Sequence, residues 1–274
     1  EGAHQVGDLA VIRIGINPNI FSSGDFIISW HGFFTAVGIL TVIMWARWQG
    51  RRNGIDDDVV YGTAIWAILG GIVGARLIHV VDFWDIYSQN PVAILRVWTG
   101  GIGLLGGIIG ATLAGSIYAW RYRLPLGRMV DLLAPGILIG QAVGRIGDII
   151  NGEHLATFTS RPWAFQYTHP ESPAFGQNPM HPAIAYEMGL DAAIFGITYW
   201  LIGRLRPDGM VFFVYLALYA TGRFFIQFIR RDAVWFAGLQ EAHILTLGLL
   251  FVAVVVLATR ARYVSSESSA EASS

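Results

Sequence analysis

The sequence predicts an all-α, polytopic membrane protein, and its composition and its pattern of apolar residues both favour this fold class. Apolar residues make up 54% of the 274 residues and charged residues only 14%, whereas charged residues are about 25% of a typical soluble domain. Seven apolar stretches approach the about 20 residues that a helix needs to cross the hydrocarbon core of a bilayer. A disordered chain and an ordinary soluble enzyme both match this pattern poorly.

The seven apolar stretches are predicted to be membrane-spanning helices. They are Phe26–Ala46, Val59–Val81, Ile102–Trp120, Met129–Ile150, Pro182–Ile202, Met210–Ile229 and Ala242–Thr259. The mixed composition of the residues before the first stretch does not resemble a cleaved signal sequence. The chain has no evident internal repeat, and this counts against an inverted-repeat transporter.

The distribution of arginine predicts the orientation of the spans. All 18 basic residues are arginine, and ten of them follow spans one, three, five and seven, whereas five lie on the opposite side. Because basic residues concentrate on the cytoplasmic side of membrane proteins, the amino terminus is expected outside and the carboxyl terminus in the cytoplasm. The cytoplasmic set is Arg47, Arg51, Arg52, Arg121, Arg123, Arg128, Arg204, Arg206, Arg260 and Arg262.

The regions outside the spans define the predicted domain organisation. Residues 1–25 form an extracytoplasmic N-terminal segment, and residues 26–260 form the seven-helix transmembrane domain. Within this domain, the proline-containing segment at about 151–181 is expected to fold as a small cap on the outer side. Residues 261–274 are rich in Ser and Glu, which predicts a disordered cytoplasmic tail.

Composition also excludes several kinds of site. The chain has no cysteine, so it cannot supply a disulfide, a catalytic thiolate or a thiolate metal site. The histidine spacings match no metal motif, and we expect neither a metal nor another cofactor. The formal net charge of −1 gives no reason to expect a nucleic-acid partner.

Three arginines lie inside or at the end of predicted spans, where an ionised side chain is costly. They are Arg76, Arg145 and Arg223. One interpretation is structural ion pairing, for example of Arg76 with Asp82 or Glu187. The other is a phospholipid site, because guanidinium groups at headgroup depth suit a phosphate, which accepts paired hydrogen bonds. The positions of Arg145 and Arg223 near the outer ends of their spans favour the phospholipid site.

The densest run of polar residues is Gly144–His154, with the sequence GRIGDIINGEH. On a helix, Arg145 and Asp148 share a face because they are three residues apart. Glycines 140, 144 and 147 would let the backbone approach a neighbouring helix or a ligand closely. We expect this run to be functional rather than an ordinary helix end.

A second cluster of glycines, at Gly100–Gly107, opens the third predicted span. Glycines in this setting either pack helices closely or expose backbone N–H groups to an anion, and their spacing favours packing. Four histidines, His31, His79, His154 and His181, are expected near the outer face. Any one of them is more often structural than catalytic, but the group raises the chance that one acts as a base.

These residues together resemble the prolipoprotein diacylglyceryl transferase family over about residues 26–260. The run GRIGDIINGEH resembles the family signature, and further pieces follow in the family's order. The other pieces are Trp30-His31-Gly32, Gly74-Ala75-Arg76-Leu77, Arg96 to Gly101, His181-Pro182-Ala183 with Tyr186-Glu187, and Tyr219 with Gly222-Arg223-Phe224 ahead of Phe228 and Arg230.

The resemblance implies a reaction and its partners. The diacylglyceryl group of phosphatidylglycerol would move to the thiol of the lipobox cysteine of a prolipoprotein, with release of glycerol phosphate, in the first step of bacterial lipoprotein maturation. This implies a multi-pass protein of the bacterial plasma (inner) membrane, with the lipid bilayer as its setting. Arg145 and Arg223 are the implied phosphate clamp. Other implied substrate-binding residues are Asn151, Gly152, Tyr219, Gly100 and Gly101.

The chain departs from the family pattern at four positions. Leu105 stands where many members have a histidine that has been proposed as catalytic. His31 stands where the family usually has tyrosine, Asp148 where asparagine is expected, and Gln227 where glutamate is expected. The base that takes the thiol proton therefore stays open among Asp148, His31 and His154, and Glu153 is also expected to be a catalytic residue.

Two other functions compete with the transferase. The four departures motivate a catalytically silent relative that acts as a phospholipid-binding membrane subunit. The intramembrane charges alone suggest a transporter or channel, against which the absence of repeats counts. We expect the active transferase, because Arg145, Arg223 and the run Asn151-Gly152-Glu153 are intact.

Overall fold

The computed structural model describes residues 11–24, 26–96, 101 and 103–264. The described chain is mostly helical. Its α-helices are α1 (Trp30–Arg52), α2 (Asp57–Asp82), α3 (Trp84–Tyr87), α4 (Leu104–Arg121), α5 (Leu126–Asn151), α6 (Ala183–Leu201), α7 (Met210–Gln227) and α8 (Glu241–Arg260). A 3-10 helix at Pro91–Leu95 follows α3.

A long helix occurs at each of the seven predicted spans. Four of them, α2, α5, α7 and α8, are long and apolar enough to cross a membrane by length and composition. The predicted start of the first span is wrong, because residues Phe26–Ser29 form a strand and α1 begins at Trp30. The tail at 265–274 and the first ten residues of the N-terminal segment lie outside the described residues.

Short paired strands, which the sequence analysis did not predict, accompany the helices. β1 (Ile12–Ile14) pairs in parallel with β4 (Phe165–Tyr167). The other pairs are antiparallel. They join β2 (Asn19–Ser23) with β3 (Phe26–Ser29), β5 (Leu205–Arg206) with β8 (Arg262–Tyr263), and β6 (Val234–Phe236) with β7 (Leu239–Gln240).

The chain divides into two compact units, Glu1–Val42 with Val130–Ser274, and Ile43–Met129. In the first unit, α5, α6 and α7 share a buried core formed by Ala134, Leu138, Ile194 and Tyr215. The buried Asp131 on α5 accepts hydrogen bonds from the backbone N–H groups of Gly209 (2.7 Å) and Phe212 (2.8 Å). This interaction satisfies donors at the start of α7 that a helix cannot pair by itself.

In the second unit, α2 packs on α4 through glycine. A Cβ atom added to Gly74 or Gly106 would collide with the backbone of the facing helix. Close approach of two helix backbones needs small residues of this kind. The structure therefore confirms that the part of the Gly100–Gly107 cluster inside α4 serves helix packing.

Candidate active site

Close packing of α1 on α5 brings His31 beside Asp148. A Cβ atom added to Gly147 would lie 2.7 Å from the Cα of His31, so only glycine permits this approach. The His31 Nδ1 atom then lies 2.5 Å from the Asp148 Oδ1 atom. The predicted close approach is thus confirmed at Gly147, and also at Gly140, which packs on Gly38. An added Cβ at Gly144 would have nothing within 4 Å, so the space beside it is open and the expected approach there stays a prediction.

His154 extends this pair beyond the end of α5. Its Nε2 atom lies 3.7 Å from Asp148 Oδ2, and its Nδ1 atom lies 3.0 Å from Nη2 of Arg230. Burial lowers the pKa of His154, and the neighbouring charge of Arg230 lowers this pKa further. The imidazole is therefore neutral near pH 7 and accepts a hydrogen bond from Arg230.

Arg145 on α5 pairs with two acidic residues of α6. Its Nη1 atom contacts Oε2 of Glu187, and its Nε atom donates to Oδ2 of Asp191 at 3.1 Å. Glu187 and Asp191 are four residues apart and therefore lie on one face of α6. Their side chains are almost fully buried, with 2% and 0% exposed, whereas 13% of the Arg145 side chain is exposed.

Glu187 also bonds two further arginines. Its Oε1 atom lies 2.6 Å from Nη1 of Arg223 and 3.5 Å from Nη1 of Arg230. We call Arg145, Arg223 and Arg230, with Glu187 and Asp191, the arginine cluster. Within the described part of the chain, Nε and Nη2 of Arg223 have no hydrogen-bond partner, and 16% of that side chain is exposed.

The arginine cluster has the chemistry of an anion site. Three guanidinium groups contact the carboxylate of Glu187. Positive charges that lie this close together away from water need negative counter-charges. Arginine forks bind carboxylate and phosphate in the same planar, paired geometry. The unpaired edge of Arg223 is therefore the part of the cluster that a phosphate oxygen can reach.

Four other predicted site residues lie near this cluster or at the end of α5. The Tyr219 hydroxyl lies 3.4 Å from Nη2 of Arg145. Asn151 is buried, and its amide donates to the exposed Glu153. Gly152 has a positive φ of 74°, and an added Cβ would lie 2.6 Å from the Ser172 Oγ atom, so glycine is needed to end α5 here.

The remaining predicted residues belong to the second unit. Gly101 has a φ of 73°, and an added Cβ would lie 2.5 Å from Nε2 of His79. Its carbonyl oxygen accepts a hydrogen bond from Arg76 at 2.8 Å. Leu105, in the first turn of α4, is 48% exposed. Gly100 lies outside the described residues.

Glu187, Asp191 and Arg230 belong to the cluster but were not predicted as site residues. Glu187 was named only as a possible partner of Arg76 and in a piece that resembles the family. The i, i+4 spacing of Glu187 and Asp191 is the sequence signal that they share a face of α6. Arg230 was named only in the last of the pieces that resemble the family. Gln227, one of the four departures, is fully buried and donates to Asp232 at 2.7 Å, and Asp232 in turn accepts from Nε of Arg230 at 3.1 Å.

Comparison with known proteins gives one consistent family. Residues 18–259 match the model of the prolipoprotein diacylglyceryl transferase family. A phosphatidylglycerol–prolipoprotein diacylglyceryl transferase of Dehalococcoides mccartyi is 36% identical over 247 residues, which cover 90% of this chain and 94% of that protein. The enzyme of the same name from Trichormus variabilis is 32% identical, over 87% and 88% of the two chains. The chain belongs to this family.

Proposed function

We propose that this member of the family transfers the diacylglyceryl group of phosphatidylglycerol to the thiol of a lipobox cysteine in a prolipoprotein. A carbon–sulfur bond forms at the glycerol carbon while the carbon–oxygen bond to the phosphate breaks, and glycerol phosphate leaves. The observation that carries the proposal is the arginine cluster with the unpaired edge of Arg223.

The cluster supplies what the leaving group needs. The phosphodiester has one negative charge, and a second charge grows on the phosphate oxygen as the carbon–oxygen bond breaks. Fixed donors aimed at a growing charge lower the barrier, because they need no reorganisation during the reaction. In this proposal the phosphate binds Nε and Nη2 of Arg223, and Arg145 stabilises the growing charge from the other side of Glu187.

Other site residues complete the proposed substrate contacts. Tyr219 and Asn151 lie beside Arg145 and at the end of α5 respectively, where their polar groups suit the headgroup of the lipid. Gly152 lets the chain turn there, and Glu153 holds the Asn151 amide. Gly100 and Gly101 are assigned to substrate binding on the family resemblance alone.

The thiol must lose its proton, and we assign this step to His31 with Asp148. Nδ1 of His31 is engaged by the Asp148 carboxylate at 2.5 Å, and 44% of the His31 side chain is exposed. A carboxylate that holds one imidazole nitrogen fixes the ring orientation and leaves the other nitrogen to accept a proton. His31 is thus the base, and Asp148 orients it.

We further propose seven membrane spans in the plasma (inner) membrane, with the site on the outer side. A long helix is present at each of the seven apolar stretches. The concentration of arginine after spans one, three, five and seven supports an outer amino terminus and a cytoplasmic carboxyl terminus. The segment between α5 and α6 would then form the outer cap.

A transfer assay tests the proposed function. Purified protein in detergent receives phosphatidylglycerol and a lipobox peptide, and mass spectrometry detects the diacylglyceryl thioether. We expect product from the wild type, and a loss of at least about 100-fold in Arg145→Ala, because a preorganised charge is removed. Arg161→Ala, at an exposed loop position, is the control. Bound lipid without wild-type product would instead indicate a catalytically silent relative.

The base is tested through the pH dependence of the same assay. We expect His31→Gln to lower the rate at pH 7 about 100-fold, the usual size of a general-base contribution. The loss should shrink as the pH approaches about 8.5, because the peptide thiol then ionises without help. His169→Gln, in the loop between α5 and α6, is the control. A wild-type rate at pH 7 in His31→Gln would remove His31 from the mechanism.

A further inference from the structure

Glu187 is the hub of the arginine cluster. Its carboxylate bonds three arginines that come from α5, from α7 and from the segment after α7. All three use their Nη1 atom for this contact. The other nitrogens of Arg230 reach His154 and Asp232, and Nε of Arg145 reaches Asp191. Glu187 therefore fixes the position of each guanidinium group and leaves one edge of Arg223 unpaired.

The charges of the cluster have a simple balance. Three guanidinium groups and the carboxylates of Glu187 and Asp191 sum to +1. His154 is neutral near pH 7, because burial and the neighbouring Arg230 lower its pKa. Among the described residues, Asp148 pairs with His31 and His154 and with no arginine of the cluster, so its charge is not part of this sum. Asp232 also contacts Arg230, but 42% of its side chain is exposed, so that water and ions screen its charge.

This balance matters because substrate and product differ in charge. The phosphodiester of the lipid carries one negative charge, whereas the phosphate monoester that leaves carries two above its second pKa of about 6. A site with an excess of positive charge would hold the dianionic product more tightly than the substrate. Binding energy that persists in the product delays its release, and release limits the rate of many enzymes.

We propose that Glu187 is a positioning residue that fixes the three guanidinium groups and holds the net charge of the cluster at +1. The cluster then matches the monoanionic lipid phosphate, stabilises the second charge as it grows, and still lets glycerol phosphate leave. This proposal deepens the proposed transferase function and rests on it. The buried carboxylate of Glu187 would thus both set the geometry of the phosphate site and allow the product to leave.

Two substitutions separate charge from geometry. Glu187→Gln removes the charge with little change of shape, and Glu187→Asp keeps the charge on a shorter side chain. Glu171→Gln, in the loop between α5 and α6, is the control. For each variant, calorimetry at pH 8 measures the Kd of glycerol phosphate, and the transfer assay measures the rate of the first turnover and of later turnovers.

We expect Glu187→Gln to bind glycerol phosphate at least about tenfold more tightly, since one buried counter-charge beside the site is lost. Its transfer should show a burst of about one product per enzyme and then a slow steady rate limited by release. Glu187→Asp should bind glycerol phosphate within about threefold of wild type. Its first turnover should be slowed at least about tenfold, because the shorter side chain cannot hold all three arginines.

The outcomes distinguish the inference from the proposed function. Unchanged or weaker binding of glycerol phosphate by Glu187→Gln would overturn the charge role. A wild-type first turnover in Glu187→Asp would overturn the positioning role, and this test stands even if Glu187→Gln does not fold. If wild-type protein forms no thioether, the proposed function itself fails.

Discussion

Two regions of the molecule contain a buried or half-buried arginine in a helix, and the guanidinium groups find their hydrogen-bond partners in different ways. In the second unit, Arg76 is 5% exposed and uses all three guanidinium nitrogens on backbone carbonyls. Its bonds run to Ala93 (2.5 Å), Ile94 (2.9 Å), Arg96 (3.3 Å) and Gly101 (2.8 Å). In the first unit, Arg145 and Arg223 bond carboxylates, and Arg223 keeps two nitrogens unpaired among the described residues.

The difference indicates two roles for the same side chain. Arg76 joins α2 to the segment between α3 and α4 through hydrogen bonds to backbone carbonyl groups. These bonds use all three of its guanidinium nitrogens. The arginine cluster concentrates charge at one point and leaves donors for a ligand. An arginine whose guanidinium nitrogens all bond backbone carbonyls stabilises the fold. An arginine that has an unpaired edge and lies beside other positive charges can bind an anion.

The largest effect on the rate of transfer is expected from removing the unpaired edge of Arg223. Arg223→Lys keeps a positive charge but loses the planar pair of donors. We expect kcat/KM for transfer to fall at least about 100-fold, since one ammonium nitrogen cannot offer the phosphate two parallel donors while it also bonds Glu187. The transfer assay at several lipid concentrations measures this loss.

The matched control for this change is Arg231→Lys. Arg231 follows the cluster in sequence, is exposed, and lies over the ring of Phe158 at 4.8 Å. We expect its kcat/KM to stay within about twofold of wild type, as for most exposed positions. If Arg223→Lys transfers as well as Arg231→Lys, the paired-donor argument is wrong.

A smaller effect on activity, but a larger one on stability, is expected at Arg76. Arg76→Ala leaves buried carbonyl oxygens without a donor, which costs about 3 kcal/mol. We therefore expect a lower free energy of unfolding, measured by thermal unfolding in detergent, with an unchanged KM for the lipid. The exposed Arg121→Ala is the control in the same unit. A raised KM with unchanged stability would place Arg76 with Arg223 and break the comparison.

The smallest effect on transfer is expected from a substitution at Tyr219. Its hydroxyl lies 3.4 Å from Nη2 of Arg145, which is long for a hydrogen bond. Tyr219→Phe should therefore raise the KM for phosphatidylglycerol only about two- to fivefold, with kcat nearly unchanged. A loss as large as that of Arg223→Lys would show that Tyr219 contacts the reacting phosphate directly.

The helices were predictable because their sequence signal is long. The predicted fourth span, Met129–Ile150, corresponds to α5 at Leu126–Asn151, and the sixth, Met210–Ile229, corresponds to α7 at Met210–Gln227. The strand pairs were missed because strands of two to five residues give no measurable period. For the same reason, the first span was started at Phe26 rather than at Trp30.

The site was predictable in part. The sequence indicated Arg145 and Arg223 by their resemblance to the family pattern, and it indicated Asp148 and His31 as titratable residues at positions where the chain departs from that pattern. It could not show that Glu187 joins three arginines, because this depends on the rotation of α6 and on the fold of the segment after α7. It also could not show that Asp148 engages His31, a contact that follows from the close packing at Gly147.

The most direct test of the central claim is a structure of the protein with short-chain phosphatidylglycerol and no acceptor peptide. Without the thiol the reaction cannot proceed, so the lipid stays intact in the site. We expect the phosphorus atom about 4 Å from the Cζ atom of Arg223, with Nε and Nη2 bonded to phosphate oxygens. Phosphate bound at Arg76, or away from both arginines, would contradict the account.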